Sequence, residues 1–327
     1  CAPYMVSKQN LFKGGKVLEN GKKVEVVSTV HPDSCMSYDD LKLIISAWNE
    51  SYPDEKIVKQ NEKGLVKSEN ELWESLRDRI DKHIPDEGEY EWWEQDFVKN
   101  KLNKQQINEI KESNYAPEAP NSWKHKPDTW LSTLDIEEVL KQYEMKYPEF
   151  ISYGATPIDF DLKDSIGECK VNDLCNIDVD KLISGDNCNN IDCNGKKIKY
   201  IGIVFNLDKH YESGSHWIAL FVNIPLGEIN YWDSYGYKPP SEVSDLMDKI
   251  KEQLEQSKLY NKINNSRKIK IQENSVRHQY KNSECGVYSL HFIIKQLEGK
   301  SFKEVCENKI SDDEMNNYRM KYFTNAR

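Results

Sequence analysis

Four residues of this chain have the types and spacing of a nucleophilic acyl-transfer site: His216, Asp233, Gln279 and Cys285. Cys285 stands where a polar loop, 277–284, runs into an apolar stretch, 287–297, that reads as a helix. A thiol at a helix N-terminus meets unpaired backbone N–H groups and the positive end of the helix dipole, a setting that favours a thiolate. Gly286 keeps side-chain bulk away from the turn, and Gln279, six residues upstream, can return an amide N–H to the same spot. A nucleophile beside such donors has an oxyanion hole ready for use.

The nucleophile also requires a base, and the base a group to orient it. His216 opens the apolar run 216–222 behind Gly214-Ser215, where a loop can expose an imidazole. With the following turn centred between Ile224 and Pro225, Leu220 faces Ile229, Ile218 faces Tyr231 and His216 faces Asp233. Directly opposed residues project from one face of a hairpin, so this register places the carboxylate beside the imidazole. A bulge near Pro225 would change it. Taken singly, each residue has a plainer reading: a buried packing cysteine, a surface histidine, an aspartate that only forms a turn. His278 and His291 compete as the base, although His291 falls one and a half turns into the Cys285 helix and suits core packing better.

Several further elements are legible. Capping boxes at Ser37/Asp40 and Ser68/Glu71 start helices with Leu41, Ile44, Ile45, Trp48 and Leu72, Leu76, Ile80 on their inner faces. A third helix is expected over 91–102 and a fourth over 103–113. Trp92 and Trp93 suit the core of a small helical unit better than an exposed peptide-binding platform. A short strand is expected within 22–30, with a turn at 29–33. Ala116-Pro117-Glu118-Ala119-Pro120 interrupts the helical run as a linker. Beyond it, Ser132/Asp135 caps a helix over 134–147, and strands are expected at 200–207, 216–222, 228–233 and 268–272. One helix is expected from Pro240 to about Leu259, and Ser301/Glu304 and Ser311/Glu314 begin two more. Residues 159–197 read as a polar, irregular surface insertion.

The 327 residues carry a net charge of −10, with 31% charged and 11% aromatic. That balance describes a globular protein whose main partner is neither nucleic acid nor an anionic membrane. No apolar run approaches the length of a bilayer span. The chain opens on Cys1-Ala2-Pro3-Tyr4 without a Met or a secretory apolar segment, as a processed chain or a fragment would. Eight scattered cysteines do not outline a disulfide framework, so ordinary thiols in a reducing, intracellular setting are expected. Cys169, Cys175, Cys188 and Cys193 are spaced more loosely than zinc-knuckle ligands, and His31 with Cys35 lacks further ligands nearby. No metal or cofactor is expected.

His-Trp opening an apolar strand, an acid 17 positions on, and Gln279-x5-Cys285-Gly286 leading into a helix resemble the adenain and SUMO-protease-like cysteine peptidases of clan CE. The segments Arg277-His278-Gln279, Ser283 to Gly286, Tyr288-Ser289-Leu290, Phe205 to Asp208 and Ile310 to Met315 are similar to the branch carried by large DNA viruses, such as African swine fever virus and the giant viruses. The resemblance spans about 130–322. That branch often has Asn as the third member where this chain has Asp233. The resemblance implies an α+β fold, a central and mostly antiparallel sheet flanked by helices in a papain-like, adenain-type core. It implies a catalytic domain at 123–327 behind a mainly helical accessory arm domain at 1–122. It implies Cys285 as nucleophile, His216 as general base and acid, Asp233 as its orienting group and Gln279 in the oxyanion hole. Trp217, Trp130 and Leu131 would line a narrow channel over small substrate residues, although Trp217 read without the family belongs in the core. The implied reaction is cleavage after Gly-Gly-type sites in a viral structural polyprotein, in the virion and host cytoplasm. A deconjugase for SUMO- or ubiquitin-like proteins, and an inactive module that binds Gly-Gly tails, are the alternatives.

Overall fold

A strand without a single polar residue needs cover on both of its faces, and Trp217 to Val222 is buried throughout. That strand is the middle of a five-stranded sheet in the computed structural model. The structure describes residues 1–2, 17–19, 22–24, 34–60, 67–85, 87–185, 195–265 and 267–324. They form two compact units, Cys1–Pro117 and Glu118–Arg327. The division falls inside the proline-containing linker, ahead of the 122/123 boundary expected from the sequence. Glu118 and Ala119 account for the difference, because Glu118 bridges Thr324 and the Ala119 N–H donates to Thr324 O at 2.9 Å, with Ala119 buried in the core of the second unit.

In the first unit, β1 (Val17–Glu19) pairs antiparallel with β2 (Lys22–Val24). The rest of the expected 22–30 strand, the 29–33 turn and His31 lie outside the described residues. Five helices follow: α1 (Tyr38–Ser51), α2 (Glu69–His83), α3 (Glu89–Trp92), α4 (Asp96–Lys99) and α5 (Lys104–Asn114). Capping boxes at Ser37, Ser68 and Asn103 start α1, α2 and α5. The single helix expected over 91–102 is instead two short ones, α3 and α4. Adjacent residues project about 100° apart on a helix, and the break lets both Trp92 and Trp93 enter the core, where they are 2% and 0% exposed. Cys1 and Cys35 form a disulfide, against the expectation of free thiols.

The second unit begins with α6 (Thr133–Lys146) and then β3 (Phe150–Pro157), a strand not anticipated from the sequence. Short helices α7 (Asn172–Cys175) and α8 (Val179–Ser184) precede β4 (Tyr200–Asn206), β5 (Trp217–Asn223) and β6 (Glu228–Trp232). Next come α9 (Ser241–Gln256), α10 (Lys258–Asn264) and β7 (Lys270–Glu273). The chain closes with α11 (Cys285–Leu297), α12 (Phe302–Glu307) and α13 (Asp312–Tyr322). The expected 240–259 helix thus stops at Ser257, whose backbone is extended and whose hydroxyl caps α10.

Sheet order is β3-β4-β5-β6-β7. The central pairs β4–β5 and β5–β6 are antiparallel, while β3 and β7 add in parallel at the edges. Side chains alternate across β5. Trp217, Ala219 and Phe221 join one core with α6 and α11, and Ile218, Leu220 and Val222 join another with α8 and α9. The 159–197 segment is therefore more than a surface insertion. Phe160, Leu174, Val179, Leu182 and Ile183 from it are buried in the second core. Cys169 and Cys175 are joined in a disulfide rather than left as thiols or metal ligands. The α7 turn returns Cys175 toward Cys169, with the Cys169 N–H donating to Asn172 Oδ1 at 2.9 Å. Cys188 and Cys193 lie outside the described residues. No helix among the described residues is long and apolar enough to cross a membrane.

α11 is buried on every side, the signature of a helix sealed within a core. Its last turn is tied to the sheet edge by polar contacts. Asn230 Nδ2 donates to Gln296 Oε1 at 2.8 Å, and Gln272 Nε2 donates to Asn230 Oδ1 at 2.8 Å. Phe221 projects from β5 into this same core, fully buried. Phe221→Ala is expected to lower stability by about 3–5 kcal/mol, read by urea unfolding of the protein. A loss below about 1 kcal/mol would show that α11 does not depend on this face of the sheet.

Candidate active site

The loop between β5 and β6 decides how His216 meets Asp233. The structure pairs Ala219 with Trp232, Leu220 with Tyr231 and Asn223 with Glu228, a register two residues away from the one read off the sequence. Ile224 to Gly227 all belong to the loop, closed by the Gly227 N–H donating to Ile224 O at 3.1 Å, with Gly227 at φ 64°. His216 and Asp233 are therefore not directly opposed. A slip of two preserves the side of the sheet, and the side chains bridge the remaining offset. His216 Nε2 lies 2.8 Å from Asp233 Oδ1, with both residues buried.

The pair is braced from three directions. The Tyr235 N–H donates to Asp233 Oδ1 at 2.8 Å. The Tyr235 ring stacks on the imidazole at 4.7 Å. Asn274 Nδ2 donates to the Asp233 carbonyl at 2.8 Å and, through the same amide, to Val276 O. With Nε2 committed to Asp233, Nδ1 is the imidazole nitrogen left for proton exchange. Burial pushes the His216 pKa down, but hydrogen bonding to Asp233 and the neighbouring Cys285 thiol outweigh it and raise the group from 6.5 to about 9.

Cys285 is the first residue of α11 and 1% exposed. Its backbone N–H belongs to the first turn, where no intrahelical acceptor exists. Gly286 is required there by close approach: a Cβ would meet the Leu131 Cβ at 3.0 Å. The Leu131 carbonyl in turn accepts from Trp217 Nε1 at 2.9 Å. The structure thus brings Leu131, Trp217 and Gly286 together, with Leu131 and Trp217 both buried, whereas Trp130 is 38% exposed.

Gln279 is fully buried with its amide held at both ends. Ser234 Oγ donates to Oε1 at 2.6 Å, and Nε2 donates to the Lys281 carbonyl at 2.7 Å, which uses one of the two amide hydrogens. The Gln279 backbone N–H also donates to Ser234 O at 2.9 Å. Ser234, Tyr235 and Asn274 are positioning residues that the sequence reading did not single out. The only local signal was the turn-forming run after Asp233. The competing histidines are committed elsewhere. His278 Nε2 bonds the Cys306 carbonyl at 3.0 Å, and His291 Nδ1 bonds Tyr322 Oη at 3.0 Å. Burial lowers the pKa of both, that of His291 to about 3.

Such an arrangement can take a proton from a thiol, hold the resulting imidazolium against a carboxylate and offer two N–H donors to an oxyanion. Comparisons with known proteins agree with that chemistry. The sequence pattern of the Ulp1 protease family, C-terminal catalytic domain, matches residues 181–327. A putative thiol protease of Acanthamoeba polyphaga mimivirus is 36% identical over 200 residues, 61% of this chain and 58% of that one. A cysteine protease of African swine fever virus, Malawi tick isolate, is 31% identical over 199 residues, 59% of this chain and 67% of that one. This chain therefore matches less than two thirds of the length of the mimivirus relative. A crystal structure of the African swine fever virus protease is similar in fold, with a TM-score of 0.60, 22% identity, and coverage of 89% of this chain and 92% of that one.

A histidine whose folded pKa of about 9 stands above its usual 6.5 adds stability that is complete below pH 6.5 and is lost as pH rises through 9. Unfolding free energy measured against pH should fall across that window. In Asp233→Asn the fall should largely disappear. Equal slopes in the two proteins would show that Asp233 does not hold the imidazolium.

Proposed function

Because the chain belongs to the Ulp1 protease family, we propose that it is a cysteine endopeptidase that cleaves after Gly-Gly-type sites, with Cys285 as nucleophile. The observation that carries this reading is the buried 2.8 Å His216–Asp233 contact beside the first residue of α11. The Cys285 Sγ proton passes to His216 Nδ1 as sulfur attacks the glycyl carbonyl carbon. The C–S bond forms while the carbonyl π pair moves to oxygen. The second Gln279 amide hydrogen and the Cys285 backbone N–H receive that oxyanion. Collapse expels the amine, which takes its proton from His216, and water then hydrolyses the thioester with His216 as base. Asp233 keeps the imidazole oriented and stabilises its charged form.

Leu131 and Trp217, locked to each other and packed by Gly286, supply a rigid wall near the nucleophile, and exposed Trp130 follows the same chain segment to the surface. A wall of this kind discriminates by excluding bulk, which suits glycine. That these relatives are viral proteases supports the reading that the substrate is a viral structural polyprotein, cleaved in the virion and host cytoplasm. An African swine fever virus relative described as a SUMO-1 cysteine protease supports deconjugation of ubiquitin-like proteins as the second reading. In either case residues 1–122 serve as an accessory arm to the catalytic part.

Cys285→Ala should abolish cleavage of Gly-Gly-X peptides, followed by mass spectrometry. Persistent cleavage would remove Cys285 from the mechanism. Faster release of a folded ubiquitin-like protein than of an unstructured Gly-Gly-X peptide would favour deconjugation. Gln279→Ala should lower kcat by about 10²–10³ in protein that still folds, and an unaltered kcat would contradict its place in the oxyanion hole.

A further inference from the structure

The last helix of the chain reaches the site through a residue that the proposed chemistry does not use. Asp312 is the first residue of α13 and is 8% exposed. Its Oδ2 accepts the backbone N–H of Tyr280 at 2.9 Å and that of Lys281 at 3.0 Å. Two backbone donors on one carboxylate oxygen are charge-assisted bonds, and they fix the path of the chain just after Gln279. The end of α13 is itself anchored. Tyr288, one turn into α11, gives its hydroxyl hydrogen to the Ile310 carbonyl at 2.8 Å, and Asp312 Oδ1 lies 3.3 Å from the same hydroxyl. The loop after Gln279 and the helix that begins at Cys285 thus share one fixed point.

Lys281 passes that order on. Its carbonyl accepts Gln279 Nε2 at 2.7 Å and Tyr235 Oη at 3.2 Å. A side-chain amide is planar, and its two N–H bonds point in fixed directions. With Oε1 held by Ser234 and one hydrogen held by Lys281, the second hydrogen has a single direction left. The Tyr235 ring, held by the same carbonyl, is the ring that stacks on His216. The Lys281 side chain adds little, because its pair with Asp313 is exposed on both sides.

We infer that Asp312 is a positioning residue for the oxyanion hole: by holding the Tyr280 and Lys281 N–H groups, it sets the carbonyl that aims the Gln279 amide. Without the carboxylate those N–H groups turn to water and the Lys281 carbonyl is free to move. A donor that swings away from the oxyanion weakens the transition state more than it weakens substrate binding. The effect on rate rests on the peptidase reading, while the effect on the Gln279 amide does not.

Hydrogen exchange of the two Gln279 side-chain amide protons, followed by NMR, reports the positioning directly. Asp312→Ala should speed that exchange at least about tenfold. Should that variant fail to fold, Asp312→Glu, which displaces the carboxylate by one methylene, takes its place. With a Gly-Gly-X peptide, Asp312→Ala should lower kcat about tenfold or more, with KM within about twofold of wild type. It should add no further loss to Gln279→Ala. Alkylation of Cys285 by iodoacetamide, a displacement that builds no oxyanion at a carbonyl, should keep its wild-type rate. Asp312→Asn retains an oxygen for both N–H groups and should restore most of kcat. Ser311→Ala removes the cap of α13 without touching the loop, and should lower the unfolding midpoint with kcat unchanged. Unchanged Gln279 exchange in Asp312→Ala would overturn the inference. So would a loss of kcat that adds to that of Gln279→Ala, or that Ser311→Ala reproduces. A wild-type protein that leaves the peptide uncut would sink the peptidase reading, and the amide exchange would still decide whether Asp312 aims Gln279.

Discussion

The buried contact between His216 and Asp233 is the constraint on which the site depends. A carboxylate and an imidazole taken from water lose solvation that only close, well-oriented partners replace, and removing one partner of such a pair costs about 3–5 kcal/mol. Here the replacement is complete: 2.8 Å between the two, a second N–H from Tyr235 to the same oxygen, and the Tyr235 ring over the imidazole. Each of these groups stands at the end of β5 or β6 or in the turn that follows. The sheet is thus what sets the His216–Asp233 geometry.

Cys285, the proposed nucleophile, is positioned from the opposite side, by a helix with no solvent face. α11 is buried along nearly its whole length and tied to the sheet edge through Gln296, Asn230 and Gln272. At its start, Gly286 lets Leu131 approach, and Leu131 receives the Trp217 indole N–H. Trp217 directly follows His216. His216 and Cys285 are therefore linked through Trp217, Leu131 and Gly286. Gln279 is fixed by Ser234, the residue after Asp233, so one turn holds both Gln279 and Asp233 in place.

Features governed by near neighbours were legible in the sequence. Capping boxes at Ser37, Ser68, Ser132, Ser301 and Ser311 all form, because a hydroxyl and a carboxylate three residues apart need no tertiary help. The two antiparallel strands that end at His216 and Asp233 were also legible. Their register was not, since the loop absorbs Ile224 to Gly227 and Gly227 takes a left-handed backbone. The pairing of the two residues survives only because the slip is even and their side chains can reach. What depends on distant partners carried no local signal: β3 at the parallel edge, the apolar residues of 159–197 that close the second core, and the Cys1–Cys35 disulfide. Ser234 and Asn274 belong with these, since the partner of each lies more than forty residues away in sequence.

The most direct measurement of the central claim is covalent capture by a peptide that ends in Gly-Gly and carries a thiol-reactive electrophile at the position of the scissile carbonyl. Mass spectrometry should find one adduct, on Cys285, and His216→Ala should suppress it without unfolding the protein. An adduct on Cys306 instead, the other free cysteine among the described residues, or capture at Cys285 that proceeds equally well without His216, would contradict the account.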